Sequence, residues 1–176
     1  MDIVVARYNE DLSWTEGLTH NLFIYNKGDE HPLQTHRLSN EGRESQTYLT
    51  HIIDNYDNIG EYTAFLQGNP FDHCGNVLSL LGPTDVFTHL ASWLVECDTN
   101  GSPHHSGLGI SETLSRIGAT PKNSYTFGAG AQFIVPRQLI VNKTRDWWVN
   151  VLKVHNEISQ GPYVFERIWK EIFEHL

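Results

Sequence analysis

Three short apolar runs, each stopped by polar residues, constrain the fold of this chain more than any other feature. Ile3–Ala6 is a continuous, β-branched run of the kind that forms a strand buried on both faces, and it ends at Arg7-Tyr8-Asn9-Glu10-Asp11. Leu22–Tyr25 is a second run, ended by Asn26-Lys27-Gly28, and Tyr62–Leu66 is a third, broken by Gln67-Gly68-Asn69-Pro70. Between the first two, Leu12–Leu18 reads as a short helix started by Asp11 or Ser13. Asp29–Ser39 is polar, holds Pro32 and reads as a loop. Asn40 can then cap a helix, in which Tyr48, Leu49, Ile52, Ile53 and Tyr56 share one face and which Asn58 and Gly60 end. Strand and helix alternating in this way predict parallel βαβ units: an α/β fold, a single domain with a mostly parallel sheet flanked by helices. Right-handed crossovers bring the strand ends to one edge, where such sheets bind ligands.

The rest of the chain is less regular. Val77–Leu81 and Asp85–Val95 read as helical, and Asp98–Gly109 as a mobile loop rich in Gly, Ser, Pro and His. Ser111–Ile117 reads as a helix, Tyr125–Val135 as a glycine-containing strand, and Trp147–Ile158 as an amphipathic helix. In a last helix, Val164, Phe165, Ile168, Trp169, Ile172 and Phe173 form one apolar face.

A chain of 176 residues with 39% hydrophobic and 19% charged residues suits one globular domain, and no repeat or linker divides it. The formal net charge of −9 argues against non-specific nucleic-acid binding, which needs Lys and Arg to neutralise phosphates. Cys74 and Cys97 form no CxxC pair, so a cysteine-based zinc site is not expected. Two free thiols are the simpler expectation, with a disulfide as the alternative. No apolar run approaches the length of a bilayer span, and the N-terminus lacks the charged-then-apolar pattern of a signal peptide. The expected compartment is the cytoplasm, that of the host if the chain is viral.

Five clusters could carry chemistry. At Arg7–Asp11 a strand end can offer Asn9 and Asp11 to a base or ribose and Arg7 to a phosphate, or be a solvated loop with Asp11 as a cap. Asn40-Glu41-Gly42-Arg43-Glu44 opens a helix, where amides and dipole favour an anion, although plain capping explains the same residues. In Gln67–His73, Asp72 and His73 are oxygen and nitrogen ligands for a divalent ion, or simply polar surface. His104 and His105 suit metal, phosphate or acid/base roles, or an exposed loop. Glu166 could act as a base at the sheet edge, while Glu166 with Lys170 and Arg167 with Glu171 also stand at the spacing of helical ion pairs.

The segments Val4–Trp14, Ile24–Gly28, Asn40–Leu49, Phe65–Phe71, Gly128–Phe133 and Glu166–Trp169 together resemble a family of short, functionally uncharacterised proteins of fungi, bacteria and large DNA viruses. The resemblance runs from Val4 to about Phe173, with a gap from about 75 to 124. That family is similar to glycosyltransferases with the single-domain GT-A nucleotide-binding fold. In those enzymes the first strand ends in a polar motif that holds the nucleotide, a position that Arg7–Asp11 matches. A later strand ends in an Asp-x-Asp motif that holds a manganese or magnesium ion on the diphosphate. Here Gln67-Gly68-Asn69 stands in its place, so the ion would come from Asp72 and His73, or its task would fall to Arg7, Lys27, Arg43 or a His. The resemblance implies Glu166 and Asp72 as catalytic residues, with Gly128–Gln132 approaching an acceptor. The substrate-binding candidates are Arg7, Tyr8, Asn9, Glu10, Asp11, Lys27, Arg43, Glu44, Gln67, Gly68, Asn69, Gly130, Gln132 and Arg167.

Three functions follow as expectations. The first is transfer of a sugar from a nucleotide sugar to a glycan, protein or small-molecule acceptor. The second is a non-catalytic nucleotide- or glycan-binding module. The third is a metal-dependent hydrolase using Asp72, His73, His104 and His105.

Overall fold

The computed structural model describes residues 1–174. The first apolar run becomes β1 (Asp2–Arg7), which is buried along nearly its whole length. β2 (Asn21–Asn26) pairs with it in parallel, and β4 (Tyr62–Gln67) pairs with it in parallel on the other side. Between β2 and β4 lie β3 (His36–Arg37), parallel to β2 at the sheet edge, and helix α1 (Arg43–Asp54). The six-stranded sheet has the order β3-β2-β1-β4-β8-β5, in which β8 (Phe133–Pro136) runs antiparallel to both β4 and β5 (Thr88–His89). The fold is thus α/β with a mixed, mostly parallel sheet. A separate two-stranded antiparallel ladder joins β6 (Leu94–Asp98) to β7 (Ser124–Gly128).

The two faces of the large sheet are covered unequally. One face, carrying Val4, Tyr25, Phe65 and Phe133, packs against α1, α5 (Arg145–Glu157) and α6 (Gly161–Glu174). All six apolar positions predicted on the last helix are buried there, and Trp148 and Trp169 are enclosed almost completely. The opposite face, carrying Ile3, Val5, Ile24, Leu66 and Ile134, is covered by a single 3₁₀ turn (Ser13–Thr15), the one-turn helix α2 (Val77–Leu80) and their flanking residues. Cys97 is buried on the helix-covered side and Cys74 on the other, both as free thiols.

Several predicted elements are corrected. The helix expected over Leu12–Leu18 is only the 3₁₀ turn, which follows Leu12, and Asp11 just before it accepts from the Ser13 amide at 3.1 Å. Helix α1 starts at Arg43 and not at a cap on Asn40, because Gly42 (φ 59°) and Arg43 (φ 49°) both take left-handed backbone and turn the chain just before it. The loop Asp29–Ser39 contains β3. The region Asp85–Val95 is not helical but holds β5 and the start of β6. The strand expected over Tyr125–Val135 is two strands in two sheets, split at Gly130 (φ 87°) and Ala131 (φ 52°). Helix α3 (Ile110–Arg116) matches its expected position, and α4 (Arg137–Val141) is an addition.

Buried Gln132 fastens the junction between the parallel and antiparallel halves. Its Oε1 accepts from the Gln67 amide at 3.1 Å and its Nε2 donates to the Pro70 carbonyl at 3.0 Å. A buried backbone amide or carbonyl without a partner costs about 1–3 kcal/mol, so this one side chain satisfies the loop that leaves β4. Gln132, expected to contact substrate, is therefore a brace inside the protein.

Candidate functional site

The carboxyl ends of β1, β2 and β4 open into a cleft of about 370 Å³. Arg7, Tyr8 and Glu10 line it from the end of β1, and Lys27 from the end of β2. Gln67, Gly68, Asn69 and Asp72 line it from the end of β4, and Asn40, Arg43 and Glu44 from the entry to α1. The strand-end clusters and the helix start thus converge although they are far apart in sequence. β1 has β2 on one side and β4 on the other, so the strand order reverses around it. Such reversals leave a crevice at the carboxyl edge of a sheet.

Arg7 is one of two deeply set cations of this cleft, with Lys27. It is only 7% exposed. Its Nε donates to the Glu10 carbonyl at 3.0 Å. Its Nη1 donates to Asn26 Oδ1 at 2.8 Å and to the carbonyls of Asp29 and Tyr8 at 3.0 and 3.2 Å. The guanidinium therefore fixes the loops after β1 and β2 with Nε and Nη1, and Nη2 takes no part in these contacts. Asn26, a partner that had read only as a strand breaker, is fully buried and also donates to the Asp29 carbonyl at 2.7 Å.

Lys27 is also buried, and its ammonium is satisfied internally. It donates to the carbonyls of Glu41 and Arg43, the latter at 2.6 Å, and to Gln46 Oε1 at 2.7 Å. Burial pulls its pKa down to about 8, against the opposing charges of Glu44 and Glu41. Its three N–H groups hold the left-handed turn before α1 and so place Arg43 and Glu44. Arg43 reaches outward, donating to the Tyr163 hydroxyl at 3.0 Å and lying 5.4 Å from that ring's centre. Burial raises the Glu44 carboxyl above its ordinary value. Its own backbone amide, Arg43 and Lys27 oppose the shift, and the charge of Glu166 adds to it.

The acidic residues are held as well. Glu10 accepts from the Tyr8 amide at 2.6 Å and lies against the Cα of Gly68, where a Cβ would collide with its carboxylate. Asp72 accepts from Asn69 Nδ2 at 2.9 Å. Asn9 and Asp11 do not line the cleft: Asn9 Oδ1 accepts from the Asp29 amide at 2.7 Å, and Asp11 accepts from the Ser13 amide. The Trp14 indole donates to the Gly68 carbonyl at 2.9 Å, a latch between two strand-end loops that no sequence signal marked.

His73 does not line this cleft, and its ring packs on Gly130 so closely that a Cβ there would overlap it. Gly130 in turn donates its amide to Glu166 Oε1 at 2.9 Å. Glu166 Oε2 accepts from Arg167 at 2.9 Å, and Glu171 pairs with Lys122 at 2.5 Å. Glu166 and Arg167 line a second, more open cleft of about 590 Å³, together with Trp93, Leu94, His104 and Phe127. His105 is held by Gln160 at 2.6 Å. Among the described residues, no three His, Cys, Asp or Glu side chains gather as a metal-ligand group.

The model of the family "Protein of unknown function (DUF3431)" matches residues 3–96, which is 94 of the 176 residues. The chain belongs to that family. The DUF3431 match contains every residue that lines the first cleft, and stops before Gly130, Glu166 and Arg167. No curated protein and no solved structure matches the chain. Among the described residues, no helix is long and apolar enough to cross a membrane.

Proposed function

We propose that the first cleft takes the diphosphate end of a nucleotide sugar, and that the chain transfers the sugar to an acceptor from a GT-A-like fold. The observation that carries this reading is Arg7. It is a guanidinium buried at the end of a central parallel strand, set by Asn26 and three carbonyls, with the cleft in front of it. With Nε and Nη1 committed to the loops, Nη2 is the donor left for a phosphate oxygen, and it is already in place when that oxygen arrives. Arg43, on the opposite wall, is the second cation for a diphosphate. Lys27 acts one step back, by holding the turn that carries Arg43.

The resemblance implies a manganese or magnesium ion. Asp72 lines the cleft but His73 does not, so this pair does not converge on one ion. The charge developing on the leaving diphosphate is then stabilised by Arg7 and Arg43. Glu166 is the candidate base. Both of its oxygens accept hydrogen bonds that fix its direction, and each keeps a second lone pair for an incoming proton.

Uridine and guanosine diphosphates, each with and without manganese, should raise the melting temperature of the native chain. Arg43→Gln, which removes the outward-reaching cation and none of the loop contacts of Arg7, should diminish the rise while leaving a folded protein. A flat response across the nucleotide panel would remove the proposal. A second reading, binding without turnover, draws support from the dense internal bonding of Lys27 and Glu166. Calorimetric titration beside a donor-hydrolysis assay separates it, since only a transferase consumes donor. The metal-dependent hydrolase has no comparable support, because Asp72 and His104 line different clefts and His105 is engaged by Gln160.

A further inference from the structure

The second cleft has a composition that the first does not. Trp93 is 52% exposed and Leu94 57% exposed at its rim, an unusual placement for side chains that gain so much by leaving water. The same cleft is lined by the Glu166 and Glu96 carboxylates, the His104 imidazole and Arg167. Arg167 is 4% exposed, its guanidinium carbon stands 4.7 Å from the centre of the Phe127 ring, and its Nε is buried without a hydrogen-bond partner. An apolar platform sharing a cleft with a carboxylate and a fixed guanidinium is amphipathic at the scale of one small ring. A purely apolar ligand would leave the charged wall unanswered, and a simple anion would be repelled by Glu166 and would leave the indole exposed. A pyranose matches both sides. Its C–H face is weakly positive and stacks on the negative face of an indole, while its hydroxyl edge donates to carboxylate oxygens and accepts from a guanidinium.

The walls of the two clefts are linked through neighbouring residues. Asp72 lines the first, and the next residue, His73, packs on Gly130 with its ring 6.3 Å from that of Trp93. Gly130 is bonded to Glu166. Glu44, on the wall of the first cleft, is close enough to Glu166 to feel its charge. Glu166 therefore lies in the second cleft and is tied through Gly130 and His73 to the residue next to Asp72 of the first.

We infer that the second cleft is a saccharide-binding subsite in which Trp93 is the stacking platform and Glu166 and Arg167 hold the sugar's hydroxyl groups. This rests on the proposed transferase reading for its role as the acceptor side, with the acceptor a glycan and not a protein or an aromatic small molecule. A sugar seated on Trp93 presents a hydroxyl toward Glu166, the group placed to take its proton as the bond to the donor's anomeric carbon forms and the nucleoside diphosphate leaves.

The test is an NMR titration of the full chain with cellotriose, chitotriose, maltotriose and mannotriose. It follows the indole N–H signal of Trp93, assigned by its disappearance in Trp93→Phe. At least one sugar should shift that signal, and Trp93→Ala should weaken the binding tenfold or more, with Trp93→Phe recovering part of it. The melting-temperature rise produced by uridine or guanosine diphosphate should be unchanged in both variants, which also shows that they fold. If no sugar moves the Trp93 signal while the diphosphates still bind, the subsite is refuted and the transferase reading stands. If a sugar moves it and no diphosphate binds, the subsite stands and the transferase reading falls. Equal sugar affinity in the native chain and Trp93→Ala also overturns the inference.

Discussion

At the scale of single residues, the cleft depends on close backbone approach as much as on charge. Gly28 follows Lys27 at the end of β2, and a Cβ placed on it would overlap the carbonyl oxygen of Tyr8 and Asn9 Oδ1. The oxygen is backbone and cannot swing aside, so the loops after β1 and β2 would have to part. Gly28→Ala should cost on the order of 3 kcal/mol or more, as overpacking against a fixed partner does, read from the midpoint of urea unfolding. A midpoint within error of the native chain would show that these loops are not in contact. His51 is a second residue-scale case. It is fully buried on α1, with the Tyr25 hydroxyl 3.1 Å and the Asn55 amide 3.2 Å from Nδ1. Burial takes its pKa from 6.5 down to about 4, with Asp2 opposing the shift and His36 adding to it. Between those values the unfolded chain binds more protons than the folded one, so stability rises with pH. The contribution of His51 is complete above about pH 6.5 and is lost as pH falls toward 4. His51→Gln should therefore flatten the rise in unfolding free energy across this window, and an unchanged slope would contradict the burial argument.

At the scale of elements, the edge of the sheet is held by side chains that bridge one crossover to the next. The Trp14 indole joins the β1–β2 connection to the β4 exit through the Gly68 carbonyl, and its ring meets Phe71 edge-on at 6.2 Å. Trp14→Phe removes the N–H and keeps most of the apolar volume. It should cost about 1 kcal/mol and raise hydrogen exchange at Gln67–Asn69 more than in the centre of β1. Uniform exchange across both would mean that Trp14 does not act locally. The start of α1 follows the same logic with a different bond: buried Lys27, reaching from the end of β2, ties down a left-handed turn that capping chemistry alone does not explain. That is why Asn40 misled as a cap. The asparagine has the right chemistry, but the helix begins only after the turn that Lys27 clamps.

At the scale of the molecule, the parallel half was legible in the sequence and the antiparallel half was not. Runs such as Ile3–Ala6 are apolar on both faces and stop at polar residues, and both traits belong to the strand itself. The strands β5 and β6 owe their existence to distant partners. Phe87, Leu90 and Leu94 stand at helical spacing only because two short strands and a turn happen to place them so, and their ladders run to Phe133–Ile134 and to Ser124–Gly128. The first cleft was legible for a related reason, since strand ends announce themselves locally. Trp93, inside a supposed helix, could not be read as a rim residue. The same long-range pairing sets a limit on truncation. β5 falls inside the stretch 3–96 that the family model matches, yet its hydrogen-bonded partner β8 falls outside it, as do the two helices α5 and α6. Met1–Glu96 expressed alone would expose Val4, Tyr25 and Phe65 to water. It should bind a hydrophobic dye and melt without a cooperative transition, whereas a sharp calorimetric peak would show it to be autonomous. The matched stretch thus draws the partner of β5 and two of the helices that cover the sheet from residues outside the match.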